Sequence, residues 1–192
     1  MAWFSALTRL GDAAVLLPLT AVILFWLMLV QFQRAAAWWI ISIVLCAFVT
    51  GALKLFFYGC PHVLDLSNPS GHASLSTLVY GAISLVTASE SSSGLLRMFI
   101  ISGSVGLIVG IAASRLLLHV HSVVEVGVGI AIGGLALALF ARSYLRCQPQ
   151  GKSLTPLYLA GGGLILAMYG RRILDADKYV SHLAGYFRQY CS

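Results

Sequence analysis

The sequence predicts an all-α integral membrane protein, a bundle of six transmembrane helices with a short interfacial helix at each end. Of its 192 residues, 59% are hydrophobic and only 9% are charged, whereas a soluble domain carries about 25% charged residues. The mean hydropathy is +0.92. The apolar residues form runs close to the length that crosses a bilayer, about 17–25 residues. This composition excludes a soluble globular enzyme, a disordered segment and a small disulfide scaffold.

Six apolar runs are predicted to cross the bilayer, and no linker between them is long enough to divide the chain. We therefore expect one membrane domain over residues 1–192. The third run is rich in small and hydroxyl residues, which is typical of a helix packed among other helices. In chain order, the predicted spans are Ala13–Val30, Ala35–Phe57, Ala73–Ser89, Met98–Ala113, Val126–Ala141 and Leu154–Gly170.

The fourth and fifth runs contain Gly-x-x-x-Gly spacings, at Gly106/Gly110 and Gly129/Gly133. This spacing lets helix backbones approach closely, although glycines that face lipid explain either motif equally well. The two ends of the chain have large apolar residues at helical spacing, over 3–10 and 174–190. We expect each end to form a helix that lies in the membrane interface.

The number of crossings determines on which side of the membrane each connection lies. With six crossings, both termini share one side with the connections 58–70 and 114–121. Nearly every polar group that a bilayer penalises falls at this side, and ionisable groups at membrane depth mark a functional site. These residues are Lys54, Ser70, Gly71, His72, Arg115, His121 and Glu125.

The cations of this set can neutralise a phosphate, and the fork of Arg115 suits bidentate contact. Ser70 and Gly71 precede the third span, whose N-terminus would direct free N–H groups and a positive dipole at an anion. These features predict an anion site that binds phosphate.

Histidines supply the chemistry for such a site. His121 and Glu125 are four residues apart, one turn if helical, so the carboxylate can hold one ring nitrogen and leave the other as a nucleophile. His72 comes from another helix and could protonate a leaving oxygen. The set predicts phosphoryl transfer through a histidine, with no metal and no cofactor.

Alternative interpretations remain open at these positions. The histidines and the carboxylate could only stabilise helix packing, and Lys54 could be a snorkelling anchor at a span end. A zinc or iron site is a third interpretation, although two cations would then lie beside the metal. Its ligands would be His72, His119, His121 and Glu125.

Two motifs follow one another along the chain. Residues 69–72 read Pro-Ser-Gly-His, and residues 114–125 read Ser-Arg-x5-His-x3-Glu. Together they resemble the type 2 phosphatidic acid phosphatase (PAP2) superfamily, in its membrane lipid phosphatase branch. The family pattern is Lys-x6-Arg-Pro, then Pro-Ser-Gly-His, then Ser-Arg-x5-His-x3-Asp. The resemblance implies a PAP2/haloperoxidase-like helical core over about residues 54–141.

The resemblance also implies roles for the matching residues. His121 matches the nucleophile that becomes a phosphohistidine, and His72 matches the general acid. Glu125 replaces the Asp that orients the nucleophile. The phosphate-binding residues of the family correspond to Lys54, Ser70, Gly71 and Arg115.

Three departures from the family pattern stand out. The first motif reads Lys54-x5-Cys60-Pro61, so the expected Arg is missing and the spacing is one residue short. Glu125 is one methylene longer than Asp but keeps the charge. His119 stands where members of the family often have Gly, which leaves an accessory role open.

The resemblance implies a phosphatase that hydrolyses a lipid phosphate or diphosphate, such as undecaprenyl diphosphate, phosphatidylglycerol phosphate or phosphatidic acid. Two alternatives remain: a lipid phosphotransferase with the same intermediate, and a catalytically silent lipid-binding or transport protein. The net charge of +6 comes from scattered residues, so a nucleic-acid partner is not expected.

Orientation follows from the positive residues outside the spans. Each side has five Lys or Arg residues when Lys54 and Arg115 of the site are not counted. Three of them lie in the connection 142–153, which contains no acidic residue. A short connection of this kind resists translocation across the membrane. Bacterial proteins that the chain resembles commonly face the periplasm. We expect an inner-membrane protein with the site and both termini in the periplasm. Cys60 and Cys191 could pair there, although two isolated thiols are the commoner arrangement.

Overall fold

The computed structural model describes residues 2–30, 33–59, 68–147, 153–170 and 180. All regular secondary structure within these residues is α-helical, which confirms the predicted all-α class. The helices form where the apolar runs lie, and each of the six runs coincides with one helix. In chain order they are α1 (Ala2–Leu10), α2 (Ala13–Leu29), α3 (Gln33–Gly59), α4 (Gly71–Glu90), α5 (Gly94–Leu117), α6 (Val123–Cys147) and α7 (Thr155–Met168).

The predicted number of six transmembrane helices is not confirmed. Four segments among the described residues are long and apolar enough to cross a membrane: Ala6–Leu29, α3, α5 and α6. The helix α7 has only 14 residues, or about 21 Å at 1.5 Å per residue. The helix α4 has 20 residues but many serines and threonines. These are tolerated because α4 packs against α3, α5 and α6 and presents little surface to lipid.

Hydrogen bonds between helices show which helix ends lie together. At one end of the bundle the Trp26 indole N–H donates to the Ser153 carbonyl at 3.1 Å, which joins the end of α2 to the start of α7. At the other end the Tyr169 hydroxyl donates to the Ala6 carbonyl at 3.3 Å. The starts of α4 and α6 are joined by the Ser70 N–H, which donates to the Glu125 carbonyl at 3.1 Å.

The helix α6 packs on α4 through its glycines. A Cβ on Gly129 would lie 2.6 Å from the Ser70 carbonyl oxygen, and one on Gly133 would clash with the Ser74 carbonyl. The predicted close approach of backbones is therefore present in this motif. In α5, by contrast, a Cβ on Gly106 would have no neighbouring atom within 4 Å. A Cβ on Gly110 would contact only the Leu7 side chain.

The structure describes only the first of the two predicted interfacial helices. Residues 2–10 form the amphipathic helix α1, which packs along α5 and turns into α2 at Gly11 and Asp12. The C-terminal helix predicted over 174–190 lies outside the described residues, apart from Val180. The predicted pairing of Cys60 with Cys191 also lies outside them.

Candidate functional site

Four helix ends bring the predicted site residues to one end of the bundle. Lys54 lies near the end of α3 and is only 7% exposed. A Cβ on Gly71, the first residue of α4, would lie 3.8 Å from the Lys54 Nζ. The ammonium group is therefore held beside the N-terminus of α4, at the place where an anion would bind.

The N-terminus of α4 is capped by Ser70, which is fully buried. Its Oγ accepts a hydrogen bond from the Ala73 N–H at 3.4 Å. Because the hydroxyl accepts in this bond, its own hydrogen can still be donated to an anion. His72 lies in the first turn and is half-buried. The first turn of α4 thus combines backbone N–H groups that point out of the helix end, a hydroxyl and an imidazole.

Arg115 lies in the last turn of α5 and is 8% exposed. The helix ends just after it in a Schellman motif. The Val120 N–H donates to the Arg115 carbonyl at 3.1 Å, and the His119 N–H donates to the Leu116 carbonyl at 2.9 Å. This motif turns the chain sharply, so that the segment after α5 returns beside Arg115.

His119 occupies the left-handed position of this motif, with φ at 53°. Glycine is the usual residue there, since it adopts positive φ without a steric penalty. The side chain of His119 is exposed. This position therefore requires a positive φ and not a particular side chain, which explains why glycine is common here in the family.

His121 and Glu125 are in direct contact. The Nδ1 of His121 lies 2.9 Å from the Glu125 Oε2, and the two side chains are 5% and 4% exposed. His121 precedes α6, which begins at Val123, so the contact does not arise within a helical turn as the spacing predicted. Instead Glu125 reaches back from the first turn of α6.

The contact is supported by a capping box at the start of α6. The Ser122 N–H donates to the same Glu125 Oε2 at 2.9 Å, and the Glu125 N–H donates to the Ser122 Oγ at 3.3 Å. Glutamate and glutamine are the residues that close a capping box at this position. Glu125 therefore caps the helix and orients the histidine with one oxygen atom.

Burial lowers the pKa of His121 below its ordinary value of 6.5. The hydrogen bond that His121 donates to Glu125 and the charge of that carboxylate oppose this shift, whereas the charges of Arg115 and Lys54 add to it. The net effect favours the neutral imidazole. Since a carboxylate only accepts hydrogen bonds, the neutral ring carries its proton on Nδ1 and a lone pair on Nε2.

The predicted residues do not assemble a metal centre. Over the described residues, no group of three or more His, Cys, Asp or Glu side chains comes close enough to hold an ion. Two apolar cavities, of about 350 and 200 Å³, lie between α2 and α7. Their linings include Pro18, Phe25 and Leu164 in the first and Ile83 in the second, so neither is suited to an anion.

Two neighbours of the site were not found by sequence reasoning. Ser122 had a recognisable signal, because Ser122-x-x-Glu125 is a capping-box pattern. Thr8 had none: its Oγ1 accepts from the Arg115 Nη1 at 3.1 Å across 107 residues of sequence. Cys60, which stands where the family pattern has Arg, lies outside the described residues.

Comparison with known proteins agrees with the motifs. A family model described as the PAP2 superfamily matches residues 57–149, a segment that contains every predicted site residue except Lys54. An uncharacterized 22.5 kDa protein in the cps region of Klebsiella pneumoniae is 34% identical over 134 residues. That match covers 68% of this chain and 64% of the relative, so the chain spans less than two thirds of the relative's length. No solved structure matches the chain significantly.

Proposed function

The chain belongs to the PAP2 superfamily, and on that premise we propose that it is a membrane-embedded phosphatase that hydrolyses a lipid phosphate or diphosphate. The single observation that supports this most is the pair His121 and Glu125. Their contact holds a neutral imidazole with Nε2 available, next to Lys54, Arg115 and the N-terminus of α4. A nucleophile, a counter-charge and an anion-binding helix end are thus combined.

In the first step His121 Nε2 attacks the phosphorus, and a P–N bond forms as the bond to the leaving oxygen breaks. His72, in the imidazolium form, donates its proton to that oxygen, so the lipid leaves as an alcohol or a monophosphate. Glu125 stabilises the positive charge that develops on His121, as a carboxylate does for the histidine of a catalytic triad.

In the second step water attacks the phosphohistidine and the P–N bond breaks. The neutral His72 accepts a proton from the water and is thereby returned to its starting state. Inorganic phosphate is released, and His121 regains its lone pair. The two steps balance without an external oxidant, reductant or metal ion.

The phosphate-binding part of the site is built for a charge that spreads over oxygens in the transition state. Lys54 and Arg115 supply two positive charges, and both are buried enough to be screened little by water. Ser70 supplies a hydroxyl, and the first turn of α4, from Gly71, supplies backbone N–H groups. Cys60 supplies no charge in place of the family Arg, which suits a head group of lower charge.

The substrate is a lipid because of where the site lies. The surrounding helices expose large apolar side chains along their length, including Phe48, Phe99 and Leu135, while the site residues lie at the ends of these helices. An acyl or prenyl chain can therefore stay in the bilayer while its head group reaches His121. The orientation toward the periplasm of a bacterial inner membrane is part of the same proposal.

The test is phosphate release by the purified protein over a panel of lipid phosphates and diphosphates in detergent micelles. We expect release from at least one lipid, inhibition by vanadate and no loss of activity in EDTA. The variant His121→Asn should be inactive, and Arg142→Gln, at the opposite end of the bundle, is the matched control. Transfer of the phosphoryl group to an added lipid alcohol, in place of release as inorganic phosphate, would instead indicate a phosphotransferase. No release and no vanadate binding would contradict the proposal.

A further inference from the structure

The N-terminal helix α1 lies against the candidate site, although it is far outside the segment 57–149 that matches the family model. It packs along the second half of α5, the helix that carries Arg115. A Cβ on Gly110 of α5 would lie 3.5 Å from the Leu7 side chain, so the two helices are close at this point.

The polar contact between the two helices is made by a phosphate-binding residue. The Arg115 Nη1 donates a hydrogen bond to the Thr8 Oγ1 at 3.1 Å. A guanidinium group is planar and carries its five N–H donors in a fixed fork. A bond at one nitrogen therefore restricts the rotation of the whole plane, and with it the direction of the remaining donors.

The turn after α1 approaches the general acid of the proposed reaction. A Cβ on Gly11 would lie 2.6 Å from the Ile111 side chain and 3.4 Å from the Cδ2 of His72. Only a residue without a side chain allows the chain to pass this close to α4 and α5. The N-terminal segment thus reaches two residues of the site, Arg115 and His72.

Three further contacts hold α1 in place. The Tyr80 hydroxyl donates to the Leu10 carbonyl at 2.8 Å, and the Tyr169 hydroxyl donates to the Ala6 carbonyl at 3.3 Å. The guanidinium carbon of Arg9 lies 5.8 Å from the centre of the Tyr169 ring, within the range of a cation–π contact. The helix is therefore anchored to α4 and α7 as well as to α5.

From these contacts we infer that Thr8 is a positioning residue for Arg115, so that α1 is part of the phosphate-binding site. The inference rests on the proposed function, because it gives Arg115 an anion to bind. Thr8 accepts from the Nη1 of the guanidinium, and the phosphate would bind to the guanidinium plane that this bond orients. Without the hydroxyl, Arg115 keeps its charge but loses one contact that fixes its orientation, and binding becomes weaker.

The test compares Thr8→Val, which removes the acceptor at nearly constant volume, with Thr8→Ser, which keeps it. A matched control is Thr20→Val, since the Thr20 hydroxyl donates within its own helix, to the Leu17 carbonyl at 2.6 Å. The quantities to measure are the vanadate inhibition constant, kcat and KM for the best lipid substrate, and the melting temperature. Vanadate affinity reports on the site itself, which a purely structural role of Thr8 would not change.

We expect Thr8→Val to weaken vanadate binding roughly three- to tenfold, which is the range of one ordinary hydrogen bond. Thr8→Ser should restore most of this affinity, and Thr20→Val should match the wild type. Equal vanadate affinity in Thr8→Val and the wild type would overturn the inference and leave the proposed function intact. A wild type that binds no vanadate would contradict both.

Discussion

Glu125 accepts a hydrogen bond from His121 Nδ1 at 2.9 Å, although His121 lies before the helix on which Glu125 stands. The same oxygen accepts from the Ser122 N–H at 2.9 Å. The orientation of the proposed nucleophile is therefore coupled to the capping of α6. A change in the cap and a change in the carboxylate should both affect His121. The first should alter stability and kcat, and the second should alter the pH dependence of the rate.

The pH dependence of the reaction follows from the pKa of His121. The ring must be neutral to attack, and burial lowers its pKa below 6.5. The acid limb of kcat/KM should therefore lie below pH 6.5. In Glu125→Gln the carboxylate no longer raises this pKa, so the limb should move further toward acid while the rate falls by about 10²-fold or more. An acid limb that moves upward in this variant would contradict the assignment.

Removal of the cap should lower both stability and rate. We expect Ser122→Ala to cost about 1 kcal/mol of stability and to reduce kcat severalfold, because Glu125 loses a bond that fixes its backbone. Ser93→Ala is the matched control, since Ser93 caps α5 at the other end of the bundle. The control should lower the melting temperature by a similar amount with kcat unchanged. Unchanged kcat in Ser122→Ala would show that the cap of α6 does not affect the site.

The contact of α6 with α4 depends on the absence of a side chain at Gly133. A methyl group there would clash with the Ser74 carbonyl and crowd the Thr77 side chain. We expect Gly133→Ala to destabilise the protein by about 1–3 kcal/mol, as overpacking of a core does. Gly134→Ala is the control, because a Cβ on Gly134 meets nothing within 4 Å. Equal melting temperatures for the two variants would show that the helices do not pack in this way.

The membrane orientation is open to a direct test with reporters. Alkaline phosphatase fused after Ser192 should be active, and green fluorescent protein at the same position should be dark, because we expect this end in the periplasm. The same reporters fused after Arg34, in the first connection on the other side, should give the opposite pair of results. The reverse pattern at both positions would place the chemistry in the cytoplasmic leaflet.

Much of the fold and most of the site were accessible from the sequence, for physical reasons that differ between residues. The apolar runs predict the helices because lipid requires every backbone group to be bonded within its own segment. His72, Arg115 and His121 stand in motifs with fixed spacing, and alternating helix directions bring these motifs to one end of the bundle.

The remaining features depend on three-dimensional contacts without a local pattern. Thr8 and Arg115 are 107 residues apart, and nothing near Thr8 in the sequence indicates its partner. The helix α4 is predicted as a span but is not among the four described segments that are long and apolar enough to cross a membrane. Its hydroxyl groups are accommodated by bonds to neighbouring helices and to its own carbonyls; the Thr50 hydroxyl, for example, donates to the Ser74 Oγ at 3.2 Å. The backbone role of His119 required its φ angle.

The central claim is that His121 carries the phosphoryl group between the two steps. The most direct measurement uses a lipid substrate labelled with ³²P in the transferred phosphate, rapid quenching in alkali and mapping of the labelled peptide. We predict label on the peptide that contains His121, lost in acid, retained in base and absent from His121→Asn. Turnover by the wild type with the label on another residue, or turnover that survives in His121→Asn, would contradict the account.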